Sequence, residues 1–266
     1  MLAEQRRELI LERVRAAGGA RVADLTDEFA VSDMTVRRDL EVLARRGLVD
    51  KVHGGATLPT SRAIEEPGFE AKSVRELAEK HAVAAVAARL VAPGQAVAIG
   101  AGTTTWVLAQ HLADVPDLTV VTNSVRVADE LRATHMVVLT GGVRTPSDAL
   151  VGPVADQVLS SLHVDVAFLG CHGLDERAGL TTPNLAESQT NRAFRRAAGR
   201  LVVVTDSSKW GTVGLVSFAG LAEVDVLVVD SALAEPAREA LEGRVGQLLL
   251  APPVDPGAAG GSSASS

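Results

Sequence analysis

Three side chains in the second half of the chain, Glu187, Asp206 and Lys209, carry the charges that proton transfer or anion binding requires. A carboxylate beside a polarised carbonyl can move a proton, and the same groups with an ammonium can grip sugar hydroxyls and a phosphate. They accompany a recurring kind of loop: Gly100-Ala101-Gly102-Thr103-Thr104-Thr105, Thr122-Asn123-Ser124, Thr140-Gly141-Gly142, Gly170-Cys171-His172-Gly173 and Thr205-Asp206-Ser207-Ser208-Lys209. Loops of Gly, Thr and Ser expose backbone N–H groups, and Lys209 is the best-placed cation for an anion among them. Any one of these glycines serves equally well to make a tight turn. A second constellation lies near the start, where Ser32, Met34, Thr35, Arg37 and Arg38 fall within V-S-D-M-T-V-R-R-D-L, followed by Lys51 and His53.

Each of the polar loops follows a short apolar run. The runs are Ala96 to Ile99, Leu118 to Val121, Met136 to Leu139, Val164 to Leu169, Leu201 to Val204, Val224 to Val229 and Val245 to Leu250, with helical patterns between them. Runs this rich in Val and Leu predict a mostly parallel sheet covered on both faces, a Rossmann-like α/β fold. Such folds bind ligands at the carboxyl ends of their strands. Gly102 to Thr105 leads into a helix predicted over Trp106 to Leu112, and a helix N-terminus attracts phosphate. The expected ligand contacts are therefore Gly102, Thr103, Thr104, Thr105, Asn123, Ser124, Gly141, Gly142, Glu187, Asp206 and Lys209.

The N-terminal constellation needs different support. Ser32 is a good N-cap and Gly47 a good C′ residue, which brackets a helix. At 100° per residue Val36, Leu40 and Leu43 point inward, Met34, Arg38, Glu41 and Arg45 point outward, and Thr35 and Arg37 flank the outer face. Two shorter amphipathic helices precede it, Arg6 to Ala16 and Val22 to Phe29. Leu48 to Val52 reads as a strand and His53-Gly54-Gly55 as a turn, making a winged helix-turn-helix. An outward Thr and two arginines at the start of such a helix suit the major groove of double-stranded DNA. The expected DNA contacts are Ser32, Met34, Thr35, Arg37, Arg38, Lys51 and His53.

Composition narrows the classes. The chain has 266 residues, 47% of them hydrophobic, which is ample for a core, and a net charge of −7. Residues 1–58 hold ten Lys or Arg against ten Asp or Glu, so the remainder carries the whole negative charge and is a poor nucleic-acid binder. No signal-peptide run or membrane-length apolar stretch is apparent, which predicts a cytoplasmic protein. The single cysteine, Cys171, excludes an internal disulfide, and the six histidines lack metal-ligand spacing. No cofactor is expected: Gly100-x-Gly102 lacks the third glycine of a dinucleotide fingerprint, and no phosphate-binding loop of the G-x-x-x-x-G-K type occurs. Leu58 to Gly68, with two prolines, reads as a linker, and Phe69 to Leu90 as one helix with Ala78, Ala82, Val83, Val86 and Leu90 buried. Pro252 to Ser266 has too few bulky side chains to order itself and reads as a tail. The domains are then 1–57 for DNA binding, 58–68 for the linker, and 69–251 for the α/β domain.

The stretch from V-S-D-M-T-V-R-R-D-L through K-V-H-G-G-A resembles the N-terminal signature of the DeoR family of bacterial transcriptional repressors. The second half resembles the same family's sugar-phosphate sensor domain in G-T-T-T (Gly102 to Thr105), V-V-T-N-S (Val120 to Ser124), T-G-G (Thr140 to Gly142), D-V-A-F-L-G (Asp165 to Gly170), Glu187 and D-S-S-K-W-G (Asp206 to Gly211). The resemblance implies a ribose-5-phosphate-isomerase-like sensor domain, a carbohydrate operon as target and a phosphorylated sugar effector. One departure is Gly100, where the family usually has Asp. A dimer or higher homo-oligomer is expected, since helix-turn-helix proteins read paired half-sites. Two other readings stay open: a sugar-phosphate isomerase-like enzyme with an appended DNA-binding domain, and an activator of the same architecture.

Overall fold

The computed structural model describes residues 3–45, 48–52, 54–57 and 68–253. Residues 58–67 of the predicted 58–68 linker, the wing residue His53, the C′ residue Gly47 and residues 254–266 of the predicted 252–266 tail lie outside the described residues. The chain divides into two compact units, Met1–Arg62 with Glu70–Arg75, and Ala63–Phe69 with Glu76–Ser266.

The first unit runs α1 (Ala3–Ala17), β1 (Gly19–Arg21), α2 (Val22–Phe29), α3 (Asp33–Arg45), β2 (Asp50–Val52) and β3 (Gly55–Thr57). Ile10, Val14, Leu25, Val36, Leu40 and Leu43 form its core, so the inward stripe expected of the third helix is the observed one. Between α2 and α3 the chain turns at Ala30, which is left-handed at φ 51°. Ser32 then caps α3 as expected: its Oγ accepts the Thr35 N–H at 3.3 Å, and its hydroxyl meets that of Thr35 at 2.8 Å. β1, which no periodicity announces, completes an antiparallel sheet of order β1-β3-β2. Gly55 has no room for a side chain there, because a Cβ would lie 2.3 Å from the Ala20 carbonyl oxygen. The second glycine of H-G-G therefore lets the wing close on β1.

Asp39 fixes α3 against α1. It is 3% exposed and accepts from Arg6 Nε at 2.6 Å and Arg7 Nε at 3.1 Å. Arg6 is itself 9% exposed, so removing the carboxylate would leave a desolvated cation without its partner.

Next come α4 (Phe69–Ser73), of which Glu70–Ser73 groups with the first unit, and α5 (Leu77–Ala88) of the second. The single helix expected over Phe69 to Leu90 is thus two: Glu76 sits at φ 47° and breaks it, without the glycine or proline that sequence reasoning relies on. The buried face of α5 is Lys80, Ala82, Val83, Ala84 and Ala87, and Ala78 is exposed. The chain continues as β4 (Ala96–Ile99), α6 (Thr103–Leu112), β5 (Thr119–Thr122), α7 (Val125–Leu131), β6 (Met136–Leu139), β7 (Val143–Arg144), β8 (Leu150–Val151) and α8 (Pro153–Ser160). It ends with β9 (Val164–Leu169), β10 (Gly173–Asp175), β11 (Gly179–Thr182), α9 (Leu185–Ala197), β12 (Ala198–Thr205), β13 (Val216–Ala219), β14 (Val226–Asp230), α10 (Glu235–Leu241) and β15 (Leu248–Ala251).

All seven predicted apolar runs become strands of one parallel sheet, ordered β15-β14-β12-β9-β4-β5-β6. One face packs α5, α6 and α7 through residues such as Val83, Leu108 and Leu131. The other packs α8, α9 and α10 through Leu159, Phe194 and Leu241. From β4 the chain builds outward to β6 and then returns to the other side of β4 with β9, so the topological switch lies between β4 and β9. A small antiparallel sheet, β10-β11-β13, and the β7-β8 hairpin are additions the sequence pattern does not announce.

The Asp39 clamp gives the first prediction. Asp39→Asn keeps the shape and removes the charge, and should destabilise the first unit by about 3 kcal/mol. Hydrogen exchange on the full chain should accelerate in α1 and α3 while α5 to α10 keep their protection. Unchanged protection in α1 and α3 would show that the pair holds nothing.

Candidate functional site

On α3 the outward residues are placed as the helical period requires. Met34 is 74% exposed, and Arg37 and Arg38 are both exposed. Arg37 is engaged in the free chain: its Nε lies 2.5 Å from Asp33 Oδ1 and its Nη2 3.3 Å from Oδ2. The bond to Arg37 holds the Asp33 carboxyl below the ordinary carboxylate range and raises Arg37 in turn. On an open surface such a pair contributes little to stability and can be exchanged for a phosphate. Arg38 has no hydrogen bond or ion pair among the described residues. On the wing, Lys51 Nζ stands 3.8 Å from Glu41 Oε1 and is half exposed.

The second constellation gathers at the carboxyl edge of the sheet. α6 starts three residues earlier than its predicted Trp106, so Thr103, Thr104 and Thr105 form its first turn, with Gly102 as N-cap. Thr105 is fully buried and donates its hydroxyl to the Gly102 carbonyl at 3.1 Å. The N–H groups of this turn have no helical partner and point out beside the switch between β4 and β9. Asn123 and Ser124 are almost wholly buried and committed to backbone. Asn123 accepts the Ala101 N–H at 2.8 Å and donates to the Leu150 carbonyl at 2.9 Å; Ser124 caps α7 through the Val127 N–H. Their side chains brace the loops that surround the N-terminus of α6.

Asp206 is 3% exposed and caps a short turn, Ser207–Lys209, by accepting from the Ser208 N–H at 3.1 Å and from the Ser208 hydroxyl. Its other oxygen lies 4.0 Å from Lys209 Nζ, which it holds at the edge. Asp230 secures the same turn from β14, taking the Ser207 N–H at 2.6 Å and its hydroxyl at 2.9 Å. Burial pushes the nearby Cys171 thiol up to about 11, so it is not a nucleophile at neutral pH.

Glu187 comes from the start of α9, where Asn184 caps the helix by accepting the Ala186 and Glu187 N–H groups. Its Oε1 accepts the Thr145 hydroxyl at 2.7 Å and the Ser147 hydroxyl, and its Oε2 accepts Thr182 at 3.2 Å. Thr145 and Ser147 belong to the tip of the β7-β8 hairpin. In the same tip Asp148, 5% exposed, takes Arg126 Nε at 2.7 Å and Arg144 Nε. The Arg144 bond, and then Arg126, hold the Asp148 carboxyl below the ordinary range. Because its folded value is depressed, this clamp is at full strength above the ordinary carboxylate value and is lost as pH falls through the depressed one.

Spacing decides which of these groups share a small ligand. Adjacent strands lie about 4.8 Å apart, so the ends of β12 and β4, bearing Lys209 and Gly102, are about 10 Å from each other. That is within the span of one sugar phosphate. Gly141 and Gly142 follow β6, two strands beyond β4 on the far side, and a ligand held at Lys209 does not reach them. Both have positive φ, 72° and 122°, and they launch the hairpin that delivers hydroxyls to Glu187. Thr145, Ser147, Thr182, Arg126 and Asp148 are not among the residues expected from the sequence; the turn-forming T-P-S-D signals Thr145, Ser147 and Asp148, and nothing local signals Arg126 or Thr182. Gly100 stands where the family usually has Asp, and a Cβ there would meet Leu169 Cδ2 at 2.6 Å. Leu169 therefore occupies the space in which that side chain would begin.

A helix-turn-helix unit joined to a parallel α/β unit with a polar carboxyl edge has the make-up of a DNA-binding protein with a sensor domain of its own. Residues 6–62 match the DeoR-like helix-turn-helix domain and residues 75–231 the DeoR C terminal sensor domain. The chain is 38% identical to the HTH-type transcriptional regulator GlpR of Haloferax volcanii, covering 91% of this chain and 95% of that one. It is 35% identical to a putative aga operon transcriptional repressor of Escherichia coli O157:H7, covering 92% and 93%. A ribose 5-phosphate isomerase from Methanocaldococcus jannaschii is similar over 49% of this chain and 53% of that one, at 20% identity and a TM-score of 0.36, too slight a likeness to carry a conclusion. The chain belongs to the DeoR family of transcriptional regulators. Among the described residues no helix is long and apolar enough to cross a membrane, and no group of three or more His, Cys, Asp or Glu is placed to hold a metal ion.

The two arginines of α3 should separate in their effects on DNA. Arg38→Ala should cost roughly 1 to 3 kcal/mol on operator DNA and relax the preference at one base pair. Arg37→Ala should weaken operator and scrambled DNA alike and reduce the salt slope by about one. Binding isotherms at several salt concentrations check both, and two variants indistinguishable from the parent chain would remove α3 from the major groove.

Proposed function

We propose that the chain is a repressor of a carbohydrate-metabolism operon and that a phosphorylated sugar or related metabolite releases it from operator DNA. The observation that carries this reading is the edge running from Lys209 across the switch point to the first turn of α6. It carries an ammonium and a row of helix N-terminal N–H groups, the two kinds of donor that a small anion takes. The phosphate is assigned to Lys209 and the Gly102 to Thr104 turn. Glu187, already an acceptor for three hydroxyls, is assigned to the sugar, with Asn123 and Asp206 holding the loops. The relative described as a putative aga operon repressor supports a carbohydrate target. In this reading the protein binds as a homo-oligomer to paired half-sites of double-stranded DNA.

The enzyme reading is less well supported by the same atoms. A general base needs a free lone pair aimed at substrate, and Asp206 spends its carboxylate on a cap while Glu187 receives Thr145, Ser147 and Thr182. A turnover assay with a panel of phosphorylated sugars separates the two readings.

Charge-assisted hydrogen bonds are worth about 1.5 to 3 kcal/mol each, so Lys209→Ala should weaken effector binding roughly ten- to a hundredfold. In the cell such a repressor could not be induced. Calorimetry with a phosphorylated sugar and its unphosphorylated parent measures both dependences. Equal affinity for the two sugars, or a Lys209→Ala protein that responds normally, would rule out a phosphate held by Lys209.

A further inference from the structure

The β7-β8 hairpin touches the candidate ligand site with one side of its tip and a chain of cationic and aromatic contacts with the other. On the first side, the Thr145 and Ser147 hydroxyls converge on one oxygen of Glu187, and their own oxygens lie 2.9 Å apart. Neighbouring hydroxyls of a polyol converge on a carboxylate in the same way. The hairpin thus supplies Glu187 with what a sugar diol would supply. Exchanging one pair of donors for the other leaves the carboxylate satisfied throughout, which keeps the exchange inexpensive.

On the second side, Asp148 holds Arg126 at 2.7 Å, and the Arg126 guanidinium lies 4.2 Å over the ring of Phe69. Phe69 also meets Trp106 edge-on, with ring centroids 6.0 Å apart, and is 6% exposed. Trp106 directly follows Thr103 to Thr105 of the first turn of α6. Phe69 is the residue from which the chain passes into Glu70–Arg75, the segment that groups with the first unit. At the base of the hairpin Gly142 lies close against the Val151 backbone, where a Cβ would lie 2.6 Å from the Val151 carbonyl oxygen, and Asp148 is in the same tip as Thr145 and Ser147.

We propose that the tip of this hairpin is a built-in competitor for the diol of the effector, and that its displacement from Glu187 loosens Phe69 through Asp148 and Arg126. The proposal rests on the ligand reading given under the proposed function, and adds to it the path by which occupancy reaches the DNA-binding unit. The state with the hairpin on Glu187 is the one that binds operator. The ligand shifts the balance because it binds Glu187 only when the tip is away. Phe69, Arg126 and Asp148 are positioning residues and touch neither ligand nor DNA.

The test needs no knowledge of the natural effector. Thr145→Val with Ser147→Ala removes both hydroxyls and keeps the shape of the tip. With no sugar present, this double variant should bind operator more weakly by on the order of tenfold, as if an effector were bound. Arg126→Lys, which keeps the charge and loses the planar stack on Phe69, should weaken operator binding in the same direction. Thr145→Ser, which keeps the hydroxyl, should bind as the parent does. In a Trp210→Phe background Trp106 is the sole tryptophan, and its emission should shift in the double variant. If the double variant loses cooperative unfolding, Arg126→Lys alone decides. Parental operator affinity in the folded double variant, or in Arg126→Lys, would overturn the relay. The parent chain is measured alongside with glucose 6-phosphate, fructose 1-phosphate and glycerol 3-phosphate. If none of these moves its operator affinity while the variants are weakened, the relay stands and the ligand reading needs another effector class. If they move it and the variants behave as the parent, the relay alone fails.

Discussion

A parallel sheet buried on both faces has only one place to put polar chemistry, the edge where its strands end. In the second unit the strands of the parallel sheet are mostly apolar, and both faces are closed by helices packed through residues such as Leu108 and Phe194. At the carboxyl ends the backbone must turn without an apolar neighbour, and the residues that do this are Gly, Thr, Ser and Asn. The reversal of strand order between β4 and β9 opens a crevice at that edge, with the N-terminus of α6 on one side. The Lys209 turn and the Thr103 to Thr105 turn follow β12 and β4 at that edge, and Glu187 joins the polar loops from the start of α9. Asp206 and Asp230 serve the same end from below, holding the Lys209 turn in place.

The first unit answers to a different constraint. Residues 1–58 carry balanced charge, so affinity for DNA cannot come from a general positive field and must come from where a few cations stand. The rotation of α3 about its axis decides whether Arg37 and Arg38 face outward. Val36, Leu40 and Leu43 set that rotation from beneath, and Asp39 locks it with Arg6 and Arg7 from α1. A buried carboxylate on the recognition helix is costly, and here its partners on another helix turn that cost into orientational specificity.

Most of this architecture is legible in the chain because its signals are local. Seven runs of Val, Ile, Leu and Ala predict seven strands, and all seven enter the sheet. Ser32 announces its helix by a capping preference, and the inward stripe of α3 follows from its period. What escapes is non-local or short. β1, β7, β8 and the β10-β11-β13 sheet have two to four residues each, too few to show a period. The break at Glu76 uses a left-handed conformation on a residue type that gives no warning. The hydroxyl cluster around Glu187 joins residues 40 and 42 positions apart, Ser147 and Thr145, through a hairpin whose role only the folded chain displays. Asn123 shows the limit from the other side: its type suits a sugar hydroxyl, but its amide is taken up by Ala101 and Leu150.

A sugar phosphate that releases the protein from DNA must bias the same equilibrium as the operator, and thermodynamic linkage makes that relation reciprocal. The direct measurement is the dissociation constant of one releasing sugar phosphate, by calorimetry, for the free protein and for the protein saturated with operator DNA. The account predicts that operator weakens sugar-phosphate binding by the same factor, on the order of tenfold, by which the sugar phosphate weakens operator binding. A sugar phosphate that binds free and operator-bound protein equally well would contradict it.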